Sequence, residues 1–290
     1  TWSPDGCVLR PFDPGELVRL LAGRTLWFLG DSISMCMANS LTCLGVKNRA
    51  HRYDHLGLGF NQSELTPIND LLGPDVVKLL DLRTKWRKVI DHLGIKPHDI
   101  IIFNTGARRL DVAQDLAQKY GDLAKVMSDL HPGLLLYRLT VFGHKDCELY
   151  DGPLESLSAD QERAFTENMY NWGSFRTYNE QMIQAFQAVA ADRFHVLDVS
   201  MFERRPDGHI GQVYRDVSNS TDLAAFLPGK AMSDEALKYN KHDCLHYCAP
   251  GPVDTWNYLL YHLLTALLRE GRAAWIPPPP PQAEARSSPA

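Results

Sequence analysis

No stretch of this chain is long and apolar enough to cross a bilayer. A helical span needs about 18–20 apolar residues. The longest candidate, Trp256 to Leu268, is interrupted by Asn257, His262 and Thr265 and reads as a packed helix. A basic excess is missing too: 30 Lys and Arg stand against 35 Asp and Glu, a net charge of −5. With no basic stripe, a nucleic-acid partner is excluded; Arg108-Arg109 and Arg204-Arg205 are isolated pairs of solvated charge. No internal repeat is found. There are 6 cysteines, at positions 7, 36, 43, 147, 244 and 248, too few to declare a disulfide scaffold by count alone. An initiator methionine is also lacking: the chain starts at Thr1 and reads as a processed product or fragment of something longer.

What is present suits a globular protein. The 290 residues are 44% hydrophobic and 22% charged, ample for one core. We expect a single domain over 1–275. The stretch 276–290 (IPPPPPQAEARSSPA) cannot bury a core and reads as a disordered tail. Asn61-Gln62-Ser63 and Asn219-Ser220-Thr221 are glycosylation sequons if the chain enters the secretory pathway.

Buried-type strands alternate with helices. Phe12 to Ala22 predicts a helix entered through Asp13-Pro14 and ended by Gly23. Apolar runs at 25–29, 99–103, 134–139 and 194–199 predict four strands. Helices are expected at 33–44, 112–130, over most of 160–191, and at 254–269. Residues 45–98 read as an irregular insertion with one helix near 81–93, and 200–242 as loop-rich. Such alternation predicts an α/β fold with a mainly parallel sheet and helices on both faces. Ligands then sit beyond the carboxyl ends of strands. That rule points to Gly30-Asp31-Ser32, Asn104-Thr105-Gly106 and the segment after Leu139.

Ser32 follows a strand and opens a helix, which exposes its hydroxyl and sets a helix N-terminus beside it. A serine needs a base to act as a nucleophile; by itself it is a helix cap. Asp243 and His246, in DCLH, supply an acid and an imidazole whose side chains can point the same way from one turn. Together the three have the composition of a Ser–His–Asp triad. A bland surface Asp–His pair at a helix start is the other reading. A zinc site from Cys244, His246 and Cys248 fits poorly, because the C-x-H-x-C spacing is tight for a tetrahedral loop. A Cys244–Cys248 disulfide is the better use of those cysteines if the compartment is oxidising. The backbone N–H of Ser32, the Asn104 amide and a glycine of Leu56-Gly57-Leu58-Gly59 are candidate oxyanion donors.

These pieces resemble the SGNH (GDSL-like) hydrolases, and more closely the plant and algal trichome birefringence-like polysaccharide O-acetyltransferases of the PC-esterase group. TWSPDGCVLRPFDP with RTLWFLGDSIS resembles the entry to that family's GDS block. DIIIFNTG resembles its second block, RPDGHIG its RPDGHPG stretch, and DCLHYCAPGPVDTWN its DCxHWCLPGxxDxWN block. The resemblance implies an α/β/α sandwich. It also implies a Golgi-lumenal type II membrane protein that moves acetyl groups to cell-wall polysaccharide hydroxyls through an acetyl-serine. It makes Ser32 the nucleophile, His246 the base, Asp243 its orienter, and Ser32 N–H with Asn104 the oxyanion donors. Asp31, Arg138, His144 and His209 fall in its blocks as candidate substrate-binding residues. No metal or tightly bound cofactor is expected. Acetyl-CoA or an acetylated carrier would be the donor co-substrate, a polysaccharide the acceptor, and a membrane protein a possible donor partner. Cys147–Cys244 is then the preferred disulfide. Two departures bear on the acceptor: Ala107-Arg108-Arg109 replaces the family's His-Trp-Trp after NTG, and Tyr247 replaces a Trp. An acetylesterase with the same triad, or a carbohydrate-binding wall protein without activity, are the alternatives.

Overall fold

The computed structural model describes residues 11–52, 81–104, 116–167, 172–212, 242–247 and 250–269. The sequons, the Leu56–Gly59 glycines, Cys248, Ala107 to Arg109 and the 276–290 tail lie outside them.

Helix α1 (Pro14–Leu21) begins where Asp13 accepts the Glu16 N–H, with proline at the first position. It stops at Ala22 and Gly23, both left-handed at φ 49° and 84°. Strand β1 (Leu26–Gly30) is buried throughout. Helix α2 (Ser32–Cys43) follows at once, capped by Asp31. An edge strand β2 (Arg49–Arg52) comes next. Helix α3 (Leu82–Leu93) is capped by Asp81 and ended by Gly94. Then β3 (Ile100–Phe103), α4 (Leu116–Leu130) and β4 (Leu135–Arg138) alternate. Helix α5 (Ala159–Thr166) starts in a reciprocal Ser158–Gln161 capping box. Helix α6 (Phe175–Ala190), β5 (Phe194–Leu197), β6 (His209–Gln212), β7 (His242–Tyr247) and α7 (Pro252–Arg269) complete the order.

The main sheet runs β2-β1-β3-β4-β5, and every pairing in it is parallel. From β1 the chain first steps outward to β2, then crosses back over β1 to β3 and continues to β5. Right-handed crossovers of opposite direction put their helices on opposite faces. Accordingly α2 packs with α7, and α7 with α1, while α4 packs with α3 and α6. The expected α/β/α layering is therefore what the chain adopts. The order reverses between β1 and β3, and that crevice is where such sheets hold their ligands. Under one face Phe103, Phe186 and Phe194 cluster, with ring centroids 4.9 and 5.1 Å apart across Phe186.

Three local expectations are corrected. Residues 45–98 are not wholly irregular outside the helix, because Arg49–Arg52 pairs with β1 as an edge strand. Its RAHR sequence lacks the apolar run by which buried strands are read. The helical stretch expected over most of 160–191 is divided into two helices, since Glu167 turns extended (φ −61°, ψ 128°) and a short 3-10 turn, Trp172–Ser174, precedes α6. Residues 242–247, expected as a turn beside a helix start, form β7, antiparallel to β6.

Candidate active site

Ser32 is the first residue of α2, with Asp31 alone between it and the end of β1. The Asp31 carboxylate caps that helix, accepting the N–H groups of Ile33 and Ser34 at 3.1 Å each. The orientation of Ser32 is thus imposed by a cap that its neighbour supplies.

The opposing half comes from an irregular strand. Gly211 faces Asp243 and His209 faces Tyr247, so residues 244–246 stand opposite the single residue Ile210. Within this bulge Asp243 Oδ1 accepts the backbone N–H of Leu245 at 3.2 Å and of His246 at 2.9 Å. In a regular strand residues three apart point to opposite faces. The bulge, with its Asp-seeded turn, brings Asp243 and His246 back together. His246 Nδ1 lies 2.9 Å from Asp243 Oδ2 and 3.1 Å from Oδ1. His246 Nε2 lies 2.6 Å from Ser32 Oγ. Burial opposes charge on Asp243, but the hydrogen bonds from the His246 ring and backbone outweigh it and hold its carboxyl below the usual carboxylate range.

A disulfide fastens the bulge from behind. Cys244 bonds Cys147 with Cα atoms 5.5 Å apart, and His144 N–H donates to the Cys244 carbonyl at 2.9 Å. This corrects the Cys244–Cys248 expectation and matches the pairing taken from the family resemblance. The zinc alternative loses a ligand, because the Cys244 sulfur is spent in that bond.

Arg138, His144 and His209 lie beneath the site, at 1%, 0% and 5% exposure. The contacts seen for each are with the protein itself. Arg138 Nη2 is 3.7 Å from Asp31 Oδ1 and 3.3 Å from Ser34 Oγ, Nη1 donates to the Leu139 carbonyl, and the guanidinium sits 5.1 Å from the Trp256 ring centroid. Burial pushes its pKa down, and Asp31 opposes that. His144 Nε2 donates to the Glu203 carbonyl at 2.8 Å, and its Nδ1 is 2.6 Å from His209 Nε2. His209 Nδ1 is 3.2 Å from the His246 carbonyl. Burial pushes His144 down to about 4 and His209 to about 3, so both are neutral at pH 7. His209 also stacks on Tyr247, centroids 4.3 Å apart. Asn104, directly after β3, is fully buried and its Oδ1 accepts the Ser34 hydroxyl at 2.8 Å. Sequence reasoning missed Ser34. Its signal was a second serine two places after Ser32, on the inward side of the same helix.

Known proteins resemble this chain in sequence. Residues 147–263 match a family described as PC-Esterase, the GDSL/SGNH-like acyl-esterase family found in Pmr5 and Cas1p. The chain is 26% identical over 307 residues to trichome birefringence-like 40 of Arabidopsis thaliana, covering 91% of this chain and 76% of that one. It is 22% identical over 322 residues to xyloglucan O-acetyltransferase 3 of Populus trichocarpa, covering 91% and 74%. A lipase/acylhydrolase crystal structure from Enterococcus faecalis aligns with 88% of this chain and 98% of its own, at 10% identity and a TM-score of 0.32. The chain is thus similar to the PC-esterase family over residues 147–263 and to trichome birefringence-like proteins over most of its length.

Proposed function

We propose that the protein is an O-acetyltransferase that moves an acetyl group to a hydroxyl of a cell-wall polysaccharide through an acetyl-serine. The observation that carries this reading is the unbroken line Asp243–His246–Ser32 at the carboxyl end of β1. The family description and the relatives named for xyloglucan acetylation support acyl transfer onto a polysaccharide.

In the first half-reaction Ser32 Oγ attacks the acetyl carbonyl carbon while His246 Nε2 takes the hydroxyl proton. Asp243 keeps the proton of Nδ1 and balances the imidazolium that forms. The carbonyl oxygen becomes an oxyanion, which the Ser32 N–H and the Asn104 amide receive. Collapse expels the donor's leaving group, which takes the proton from His246, and Ser32 keeps the acetyl. In the second half a sugar hydroxyl attacks that ester, His246 takes its proton, and Ser32 leaves as the hydroxyl. Water in the sugar's place makes the same site an esterase; the names of the relatives favour transfer. The donor is acetyl-CoA or an acetylated carrier, which a membrane partner would present. The Cys147–Cys244 disulfide supports an oxidising compartment such as the Golgi lumen.

The test is peptide mass spectrometry after incubation with an activated acetyl ester, with and without xyloglucan or xylan oligosaccharides. An acetyl on Ser32 that passes to sugar faster than to water is expected. Undiminished labelling of Ser32→Ala at the same peptide would remove the nucleophile assignment. Loss to water alone across the acceptors would favour the esterase. No label on Ser32 would favour a binding protein.

A further inference from the structure

Ser34 does nothing in the steps above, yet it is 3% exposed and sits between two charged or polar groups of the site. Its Oγ makes two contacts of opposite sense. Arg138 Nη2 lies 3.3 Å away. A guanidinium has N–H groups and no acceptor, so Ser34 Oγ accepts there. A hydroxyl owns one proton, and that proton goes to the other partner, Asn104, 2.8 Å away. The receiving atom is the amide oxygen, because an amide NH2 cannot accept it. Arg138 therefore dictates the direction of the whole line and, through it, the rotation of the Asn104 amide. The amide flip, ordinarily a choice between two near-equal densities of atoms, has one answer here: Oδ1 toward Ser34, and NH2 as what Asn104 offers elsewhere.

A second observation points to the same bond. A Cβ on Gly30 would fall 1.9 Å from Asn104 Oδ1 and 2.5 Å from Ser34 Oγ. Gly30 is absent from the left-handed residues, so a turn conformation does not account for the glycine. It is small because the Ser34–Asn104 bond passes directly over its Cα.

We infer that Ser34 is a positioning residue that sets and polarises the Asn104 amide as an oxyanion donor, with the buried Arg138 charge behind it. The inference rests on the acyl-transfer reading given above. As negative charge grows on the substrate oxygen, the Asn104 N–H bonds strengthen. The carbonyl end of that amide then draws harder on the Ser34 proton, and the Ser34 oxygen on Arg138. Hydrogen bonds in such a chain reinforce one another. Arg138 thus contributes its charge at two removes, without meeting the substrate and without exposing a guanidinium to the donor's leaving group.

The experiment is the rate of Ser32 acetylation by an activated acetyl ester, read by rapid-quench mass spectrometry, for Ser34→Ala, Asn104→Ala and the double variant. Loss of one oxyanion donor costs about 100- to 1,000-fold in rate. Ser34→Ala removes the hydroxyl that holds the amide oxygen, and is expected to lose about 10- to 100-fold with KM for the ester little changed. Ser34→Thr, which keeps the hydroxyl, should recover most of the rate. The double variant should be no slower than Asn104→Ala if Ser34 affects the rate through the Asn104 amide. A merely structural serine gives losses that multiply. Multiplying losses, or wild-type acetylation by Ser34→Ala, overturn the inference. Should alanine prevent folding, Ser34→Cys, which keeps the shape and a weak donor, enters the same cycle and is judged by the same two criteria. A wild-type protein that never acetylates Ser32 overturns the functional reading and this inference with it. One that acetylates while the cycle is multiplicative overturns this inference alone.

Discussion

Lowering the pH from 7.5 to 5 should destabilise the fold through three buried histidines. His131, between α4 and β4, is buried with Nε2 on the Asp99 carbonyl, and burial pushes it down to about 4. His144 and His209 are pushed to about 4 and about 3. The unfolded chain takes up these protons near pH 6.5. Each folded pKa is lower than that, so the unfolded state binds more protons throughout the interval. Stability is fully present above about pH 6.5 and falls as the pH drops toward 4. By pH 5 the loss is about 2 kcal/mol for one such histidine. The touching pair behaves differently from two separate rings. Its three contacts, to the Glu203 carbonyl, between the rings, and to the His246 carbonyl, call for three protons, whereas two neutral rings carry two. One added proton therefore completes the pair's hydrogen bonding, and the second is resisted. The combined loss is about 4–6 kcal/mol, against a typical total of about 5–15 kcal/mol. Glu203, raised by burial, contributes with the opposite sign and softens the fall. Asp243, held low, acts only beneath this window. Urea unfolding followed by tryptophan fluorescence at half-unit steps from pH 8 to 5 measures the slope. His131→Gln should flatten it by about 1.4 kcal/mol per pH unit. Stability that is level or rising between pH 7 and 5 would refute the reasoning.

Three further outcomes are expected. Replacing Cys147 and Cys244 by Ser opens a link across a sequence separation of 97 and should cost about 4 kcal/mol by thermal unfolding, with acetylation falling as the bulge loosens; an unchanged melting temperature contradicts this. Gly30→Ala places a methyl where the Ser34–Asn104 bond runs, and should lower Ser32 acetylation by at least tenfold while the other half of the sheet stays folded by circular dichroism. Tyr247→Phe removes a buried hydroxyl that has no hydrogen-bond partner among the described residues, and should leave stability unchanged or raise it by about 1 kcal/mol in the same urea assay; a loss of 2 kcal/mol or more contradicts it.

The parts of the fold that could be read from the chain are those whose residues answer to local rules. Asp13-Pro14, Asp81 and Ser158 cap helices with their own side chains, and the runs LWFLG, IIIF and LLYR are apolar because both faces of a parallel sheet are covered. Arg49–Arg52 was not legible, since an edge strand with charged side chains takes its identity from pairing with β1, not from its own pattern. The bulge in β7 escaped for the same reason: it exists only against the register of β6. Among site residues, Ser32, Asp243 and His246 could be picked by chemical type and spacing. The placement of Arg138, His144 and His209 could not, because whether a charged or imidazole side chain faces a cleft or lies under it is decided by tertiary packing. A buried arginine with Asp31, Ser34 and Trp256 around it has the same one-letter code as an exposed one.

The wide sequence spacing of the site has a consequence for how the protein comes to life. Ser32 and His246 meet across 214 residues. Helix α7 is pinned to α2 by bonds from Ser40 to Asp254 and from Asn257 to the Met37 carbonyl and the Ser40 hydroxyl, so β7 and α7 must dock onto elements made long before them. During synthesis, N-terminal elements can assemble first while such distant pairings wait. Until the late docking occurs, the serine is an ordinary alcohol and the nascent chain is chemically quiet. A chain cut before residue 242 stays so. On the proposed function, acetylation of Ser32 would therefore report complete maturation, since it needs β1 and β7 to have found each other.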